Sequence, residues 1–254
     1  MKKLNFGKRI FQIDSTGKFN DLAVEIFRYQ YENNPVYREF SDHLKTNVNK
    51  VEAVEQIPFL PVGFFKTHKV LSGDAGTGSY FESSSTTGTG VSRHYYDDPG
   101  IYHKSFFKGF RYFYGDPADY CILALLPSYL ERSGSSLVYM VQKLIEVSGH
   151  PDSGFYLYNH DELAEKLNKL DTGRQKALLI GVSFALLDLI EQKRFHLKNS
   201  IVMETGGMKG RRREMVREEL HKELCRGFGV DAIHSEYGMA ELFSQAYSKG
   251  RGMF

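Results

Sequence analysis

The chain has no tryptophan, only two cysteines and almost no net charge. Cys121 and Cys225 make neither a disulfide framework nor a zinc cluster. Thirty-three Lys and Arg stand against thirty-one Asp and Glu, leaving +2. A dedicated binder of nucleic acid or of anionic membrane is normally strongly basic, so both classes are disfavoured. No apolar run approaches the roughly 18 residues of a membrane span. The opening Met1-Lys2-Lys3-Leu4-Asn5-Phe6 lacks the apolar core of a secretory leader. Repeats, low-complexity tracts and interdomain linkers are also missing. These absences lead us to expect a cytoplasmic globular protein with no nucleic-acid partner and no membrane span. Its 254 residues suffice for one large domain or two small ones. Among what is present, 24 glycines are the most telling, because many cluster between predicted elements.

Apolar spacing predicts an N-terminal helix around Leu22, Ala23, Ile26 and Phe27, capped by Asn20, and a second over about Val36 to Leu44 after Asn34-Pro35. Two prolines three residues apart make Ile57 to Lys66 an extended, aromatic-rich connector. Beyond it, β-prone and helical runs alternate. Predicted strands are Val70-Leu71, Tyr80–Glu82, Tyr120–Leu126, Phe155–Tyr158, Ala177–Gly181, Ser200–Glu204 and Asp231–His234. Predicted helices are Ile101–Tyr114, Ser135–Val147, His160–Leu170, Phe184–Lys193, Arg211–Cys225 and Met239–Tyr247. This alternation implies an α/β fold with mostly parallel sheets covered by helices.

Two stretches carry chemistry. The first runs from Phe81 to Arg93, with five consecutive hydroxyl residues, Ser83 to Thr87, then Gly88 and Gly90. Small residues expose successive backbone N–H groups as an anion nest, hydroxyls add donors, and Arg93 supplies positive charge. That chemistry suits a phosphate chain, although a solvated Ser/Thr/Gly loop would share the composition. Neither the P-loop ending nor the G-x-G-x-x-G spacing is present. The second stretch is His234-Ser235-Glu236-Tyr237-Gly238-Met239-Ala240-Glu241, placed after a strand-like run. In open α/β sheets, ligands collect at the carboxyl ends of strands. Tyr237 offers an aromatic face for a nucleobase, Gly238 a tight turn, and Glu241 a hard oxygen for Mg²⁺. An ordinary strand–turn–helix with a core Tyr and a surface Glu is the competing reading.

Together, in order and separation, the two stretches resemble the ATP site of the adenylate-forming superfamily. That superfamily carries a Ser/Thr/Gly phosphate loop and a later Tyr-Gly-x-Thr-Glu element. Within it, the chain is most similar to the acyl-protein synthetases of the bacterial bioluminescence (LuxE) type. The similarity rests on Ile57-Pro58-Phe59-Leu60-Pro61, Phe64-Phe65-Lys66-Thr67-His68, the loop ending at Ser92-Arg93-His94, Leu125 to Arg132, and His234 to Glu241. The resemblance implies a large N-terminal adenylate-forming domain over residues 1–254, without the small C-terminal domain of the superfamily. It also implies a reaction, in which a fatty carboxylate and Mg-ATP give acyl-AMP and pyrophosphate. The acyl group then passes to a protein thiol or another acceptor. By the same resemblance Ser84, Ser85, Thr86, Thr87, Gly88 and Gly90 hold phosphates, and Tyr237 and Gly238 border adenine. Gly206 and Gly207 let the backbone approach its edge. Glu241 and Arg93 are the catalytic candidates, with Glu241 also the metal ligand, and His94, His234, Met239 and Ala240 lie near the substrate.

Three departures from the superfamily pattern stand out. Ser85 replaces a usual Gly, Gly90 and Val91 replace Pro and Lys, and Ala240 replaces a Thr. The alternative to an AMP-forming ligase is a non-catalytic nucleotide- or acyl-adenylate-binding module, or a partner-dependent subunit. Elsewhere, Arg211-Arg212-Arg213 reads as solvated surface, Cys121 as core and Cys225 as the semi-exposed end of a helix.

Overall fold

The computed structural model describes residues 6–73, 79–83, 90–127, 134–208, 210–250 and 252–254. The chain begins with a small helical layer: α1 (Phe6–Arg9), α2 (Thr16–Asn33), α3 (Pro35–His43) and the single turn α4 (Phe64–Thr67). α2 starts earlier than the apolar stripe suggests, because Ser15 caps it by accepting the Lys18 N–H at 3.3 Å. Asn20, the expected cap, instead ties α2 to the following loop. Its amide donates to the Glu52 carbonyl (2.9 Å) and accepts from the Val54 N–H (3.0 Å). Asn34 caps α3, with Pro35 in the first helical position. Phe27, Tyr37 and Val51 form a small core of their own, and Tyr37 Oη donates to the Pro58 carbonyl at 2.8 Å.

A two-stranded antiparallel ribbon follows, β1 (Tyr80–Glu82) with β2 (Arg93–Tyr95), in which Glu82 faces Arg93. The expected strand at Val70-Leu71 is absent. Next come α5 (Gly100–Tyr114), β3 (Cys121–Leu125), α6 (Ser136–Ser148), β4 (Gly154–Phe155), α7 (His160–Thr172) and β5 (Ala177–Val182). The chain continues through α8 (Ser183–Gln192), β6 (Ser200–Thr205), α9 (Arg217–Phe228), β7 (His234–Gly238) and β8 (Gln245–Ser248). The six-stranded sheet has the order β4-β3-β5-β6-β7-β8. All its pairings are parallel except β7–β8. The fold is therefore α/β with a mostly parallel sheet, as the alternation of elements implies. Every residue of β3 and β5 is buried, which is what a strand covered on both faces requires. Cys121 lies in this core. Cys225 is half-buried, and burial pushes its thiol up, away from reactivity.

The largest corrections fall at the end of the chain. The strand expected at Asp231–His234 begins at His234 and continues through Tyr237 and Gly238. The helix expected over Met239–Tyr247 is a turn followed by β8, paired antiparallel to β7. The reason is packing. Tyr247 is 2% exposed, and its ring lies 5.5 Å from those of Phe113 and Tyr114. The unpaired edge of β7 supplies the hydrogen bonds that a helix would have made internally. α9 likewise starts at Arg217 rather than Arg211. Arg212 is anchored to Asp188 and Glu191 of α8 rather than free in solvent.

Candidate functional site

The carboxyl ends of β6 and β7 open onto a cleft of about 440 Å³, within the usual range for small-molecule sites. Its walls come from five places. The end of β1 and the residue after it contribute Glu82 and Ser83, the start of α6 contributes Ser135 to Leu137, and the end of β6 with the turn after it contributes Glu204, Thr205 and Gly206. α9 contributes Arg217, and the β7–β8 hairpin contributes Glu236 to Glu241 and Gln245. The ribbon is held against the start of α6 by a hydrogen bond from the Glu82 N–H to the Gly134 carbonyl at 2.8 Å. Gly206 ends β6 with φ of +72°, a conformation that turns the chain and that side chains resist.

The sequence-based site residues divide into groups. Gly206, Tyr237, Gly238, Met239, Ala240 and Glu241 converge on the cleft. Tyr237 is 53% exposed, with a ring available for stacking, and the ring of Phe254 lies 6.1 Å away. Gly207 follows Gly206 but does not line the cleft, and neither does Gly90. Arg93 sits beside it. Its Nε donates to Glu82 Oε2 at 2.9 Å, and its guanidinium lies 5.0 Å from the ring of Tyr80. His94 supports the hairpin from behind, stacked on Phe243 at 4.1 Å with Nδ1 3.2 Å from the Ala240 carbonyl. Burial lowers its pKa, which favours the neutral ring. His234 stands at the opposite end of β7 from the cleft, with Nδ1 3.2 Å from Tyr114 Oη. Ser84, Ser85, Thr86, Thr87 and Gly88 lie outside the described residues, as does Arg132.

Sequence reasoning missed the two buried carboxyl groups of the cleft. Glu204 is 4% exposed and sits 3.5 Å from His221 Nε2 and 3.7 Å from Arg217 Nε, with Ser183 Oγ at 3.4 Å. Glu236 is 5% exposed and accepts from Thr205 Oγ1 at 2.5 Å. Burial pushes its carboxyl up to about 7, with the charge of Glu204 adding to the shift, and the Thr205 hydrogen bond and the nearby Gln245 amide opposing it. A signal existed. Each is an acidic residue at the carboxyl end of a β-prone run, where core strands meet ligand.

The residues present fit a magnesium nucleotide only in one manner. No group of three or more His, Cys, Asp or Glu placed to hold a metal occurs among the described residues. Mg²⁺ commonly keeps waters and binds through one or two carboxylates plus phosphates, and Glu241 supplies such a carboxylate at the cleft.

Residues 12–95 match the family model for the LuxE acyl-protein synthetases. The resemblance read from the sequence holds over this segment, which runs from the helical layer through the ribbon to Tyr95. Glu82, Ser83, Arg93 and His94 thus fall within the LuxE match, while the β6 and β7 parts of the cleft lie beyond it. No curated protein matches the chain. Among the described residues no helix is long and apolar enough to cross a membrane.

Proposed function

We propose that the chain activates a carboxylic acid with ATP, as an acyl-protein synthetase does. A fatty carboxylate would displace pyrophosphate from ATP to give acyl-AMP, and the acyl group would then pass to a protein thiol or another acceptor. The observation that carries this reading is the convergence of Gly206, Tyr237, Gly238 and Glu241 on one cleft at the strand ends. The LuxE match over residues 12–95 supports it independently.

The parts have distinct tasks. Tyr237 presents its face to adenine, and the turn at Gly206-Gly207 lets backbone reach the base edge. Ser84 to Gly90 receive the phosphates, with Arg93 the nearest fixed cation in sequence. Glu241 holds Mg²⁺, which when bound offsets the repulsion between carboxylate and triphosphate. His94 holds the Ala240 carbonyl and so keeps Met239 to Glu241 at the cleft wall.

Calorimetry with a non-hydrolysable acyl-adenylate mimic and Mg²⁺ tests the site. Tyr237→Ala should weaken binding by about 1–3 kcal/mol, the worth of a base–aromatic stack, while Tyr237→Phe should bind as the wild type does. Equal affinity of the alanine variant would sink the adenine assignment. Carboxylate-dependent exchange of pyrophosphate into ATP then separates a ligase from a module that only binds.

A further inference from the structure

The chemistry proposed above leaves one buried acid in the cleft unused. Glu236 lines the cleft, its Oε2 is held by Thr205, and its Oε1 has no hydrogen-bond partner. A buried polar atom without a partner costs about 1–3 kcal/mol, so its retention calls for an occupant. Gly238, which has no side chain, lies directly against that oxygen. A Cβ there would stand 2.8 Å from Glu236 Oε1 and 2.5 Å from Gln245 Nε2. The wall of the same cleft includes the first turn of the 13-residue helix α6. Ser135 Oγ takes the Val138 N–H, while the N–H groups of Ser136 and Leu137 are not used by the helix itself. Helix start and buried acid together make a place for an anion, provided that the acid carries a proton.

The groups around Glu236 favour that proton. From β6 it feels the charge of Glu204, which points to the other face of the sheet, and from α5 and β8 it meets the phenols of Tyr102 and Tyr247, both of which burial keeps neutral. Among the described residues the rest of the cleft lining adds Glu82, Glu241 and one cation, Arg217, which lies 3.7 Å from Glu204. A neutral carboxyl in this lining lowers its repulsion of an anionic substrate. Glu236, drawn up to about 7 by burial, is the one positioned to be so.

We propose that Glu236 holds a proton at Oε1 and donates it as a hydrogen bond, over Gly238, to the carboxylate of the acid substrate seated at the start of α6. The inference rests on the carboxylic-acid reading of the cleft. No bond to hydrogen breaks: Glu236 keeps its proton and fixes the carboxylate. An anion bound there favours the protonated form further, so binding takes up a proton above neutral pH.

Calorimetry on the whole chain with octanoate as probe and AMP present, between about pH 6 and 9, tests this. Two buffers of different ionisation enthalpy count the protons. Octanoate stays ionised throughout, since simple carboxyl groups titrate near about 4–5. The wild type should take up close to one proton at about pH 8 and lose affinity about tenfold between pH 8 and 9. Glu236→Gln donates without titrating, so it should take up no proton and bind with a flat pH profile. Proton-free binding by the wild type, or an unchanged slope in the variant, would overturn the proposal. So would AMP binding that depends on Tyr237 with no octanoate binding. If neither AMP nor octanoate binds, the parent reading fails and this one with it. Should Glu236→Gln not fold, by circular dichroism, the wild-type proton count decides alone.

Discussion

Thr205 and Glu236 face each other across the β6–β7 ladder, and the threonine hydroxyl donates to Glu236 Oε2 at 2.5 Å. The neighbouring register pair, Glu204 with Ser235, turns to the other face of the sheet, toward His221. Two acids at adjacent strand ends thus receive unlike surroundings. Glu204 has a cation and a histidine near it, whereas Glu236 has one hydroxyl, a nearby amide and the desolvation of the core. The alternation of a β-strand is enough to produce this asymmetry.

The stability of the fold should carry the signature of Glu236. Burial raises its carboxyl from 4.5 to about 7. Between these values the folded chain holds a proton that the unfolded chain has released. The contribution is therefore complete below about pH 4.5 and is lost as pH rises through 7. The difference is on the order of 3 kcal/mol. Urea unfolding of wild type and Glu236→Gln at several values between about pH 5 and 8 should show the wild type losing stability relative to the variant. Parallel profiles would contradict the raised value.

Gly238→Ala should act by volume, not by backbone strain, because Gly238 is not among the glycines with positive φ. Its added methyl would meet the Gln245 amide and the Glu236 carboxyl. Overfilling of this kind costs about 1–3 kcal/mol and crowds Oε1. Thermal melts should record the first effect. Octanoate binding should drop further than AMP binding, and equal losses would mean that the methyl disturbs the whole hairpin.

Tyr237 and Tyr247 offer a matched contrast on one hairpin. Tyr237 is exposed and faces the cleft, whereas Tyr247 is buried between α5 and α6, its hydroxyl 3.7 Å from Met140 Sδ. Tyr237→Ala should leave stability within about 0.5 kcal/mol while weakening nucleotide binding. Tyr247→Ala should cost about 3–5 kcal/mol, as for other large core aromatics. Chemical denaturation of the two variants side by side checks the assignment of β8 directly, because a surface helix over 239–247 would give no such difference.

The sheet was readable where burial on both faces leaves a continuous apolar run, as in Ile122 to Leu126 and Leu178 to Ile180. Helices α5, α6 and α7 were readable as helical runs alternating with the β-prone ones. β8 was not. Its four residues carry no apolar alternation, and the reason they are extended is the unpaired edge of β7, a tertiary fact. Tyr237 to Glu241 could be found as a motif. Glu204 and Glu236 could not be ranked from sequence, because their importance lies in burial and register. The separation of His234 from the cleft has the same origin. Once β7 extends to Gly238, its first residue is carried to the far end of the strand.

Arg93, the cation expected to meet phosphate, is already engaged by Glu82, itself part of the cleft wall. Both side chains reach solvent, so their ion pair should add little to stability. Its consequence is electrostatic instead. While Glu82 is charged, the guanidinium is compensated and the ribbon contributes no net attraction for an anion. Glu82→Gln keeps a hydrogen-bond acceptor for Arg93 and removes the negative charge. ATP affinity should then rise a few-fold at low salt, and the gain should shrink as added salt screens the ribbon. Arg93→Gln should have the opposite effect on ATP and leave unfolding by urea nearly unchanged. If Glu82→Gln weakened ATP binding instead, the carboxylate would be serving the bound nucleotide itself, alongside Glu241, rather than holding the guanidinium in reserve.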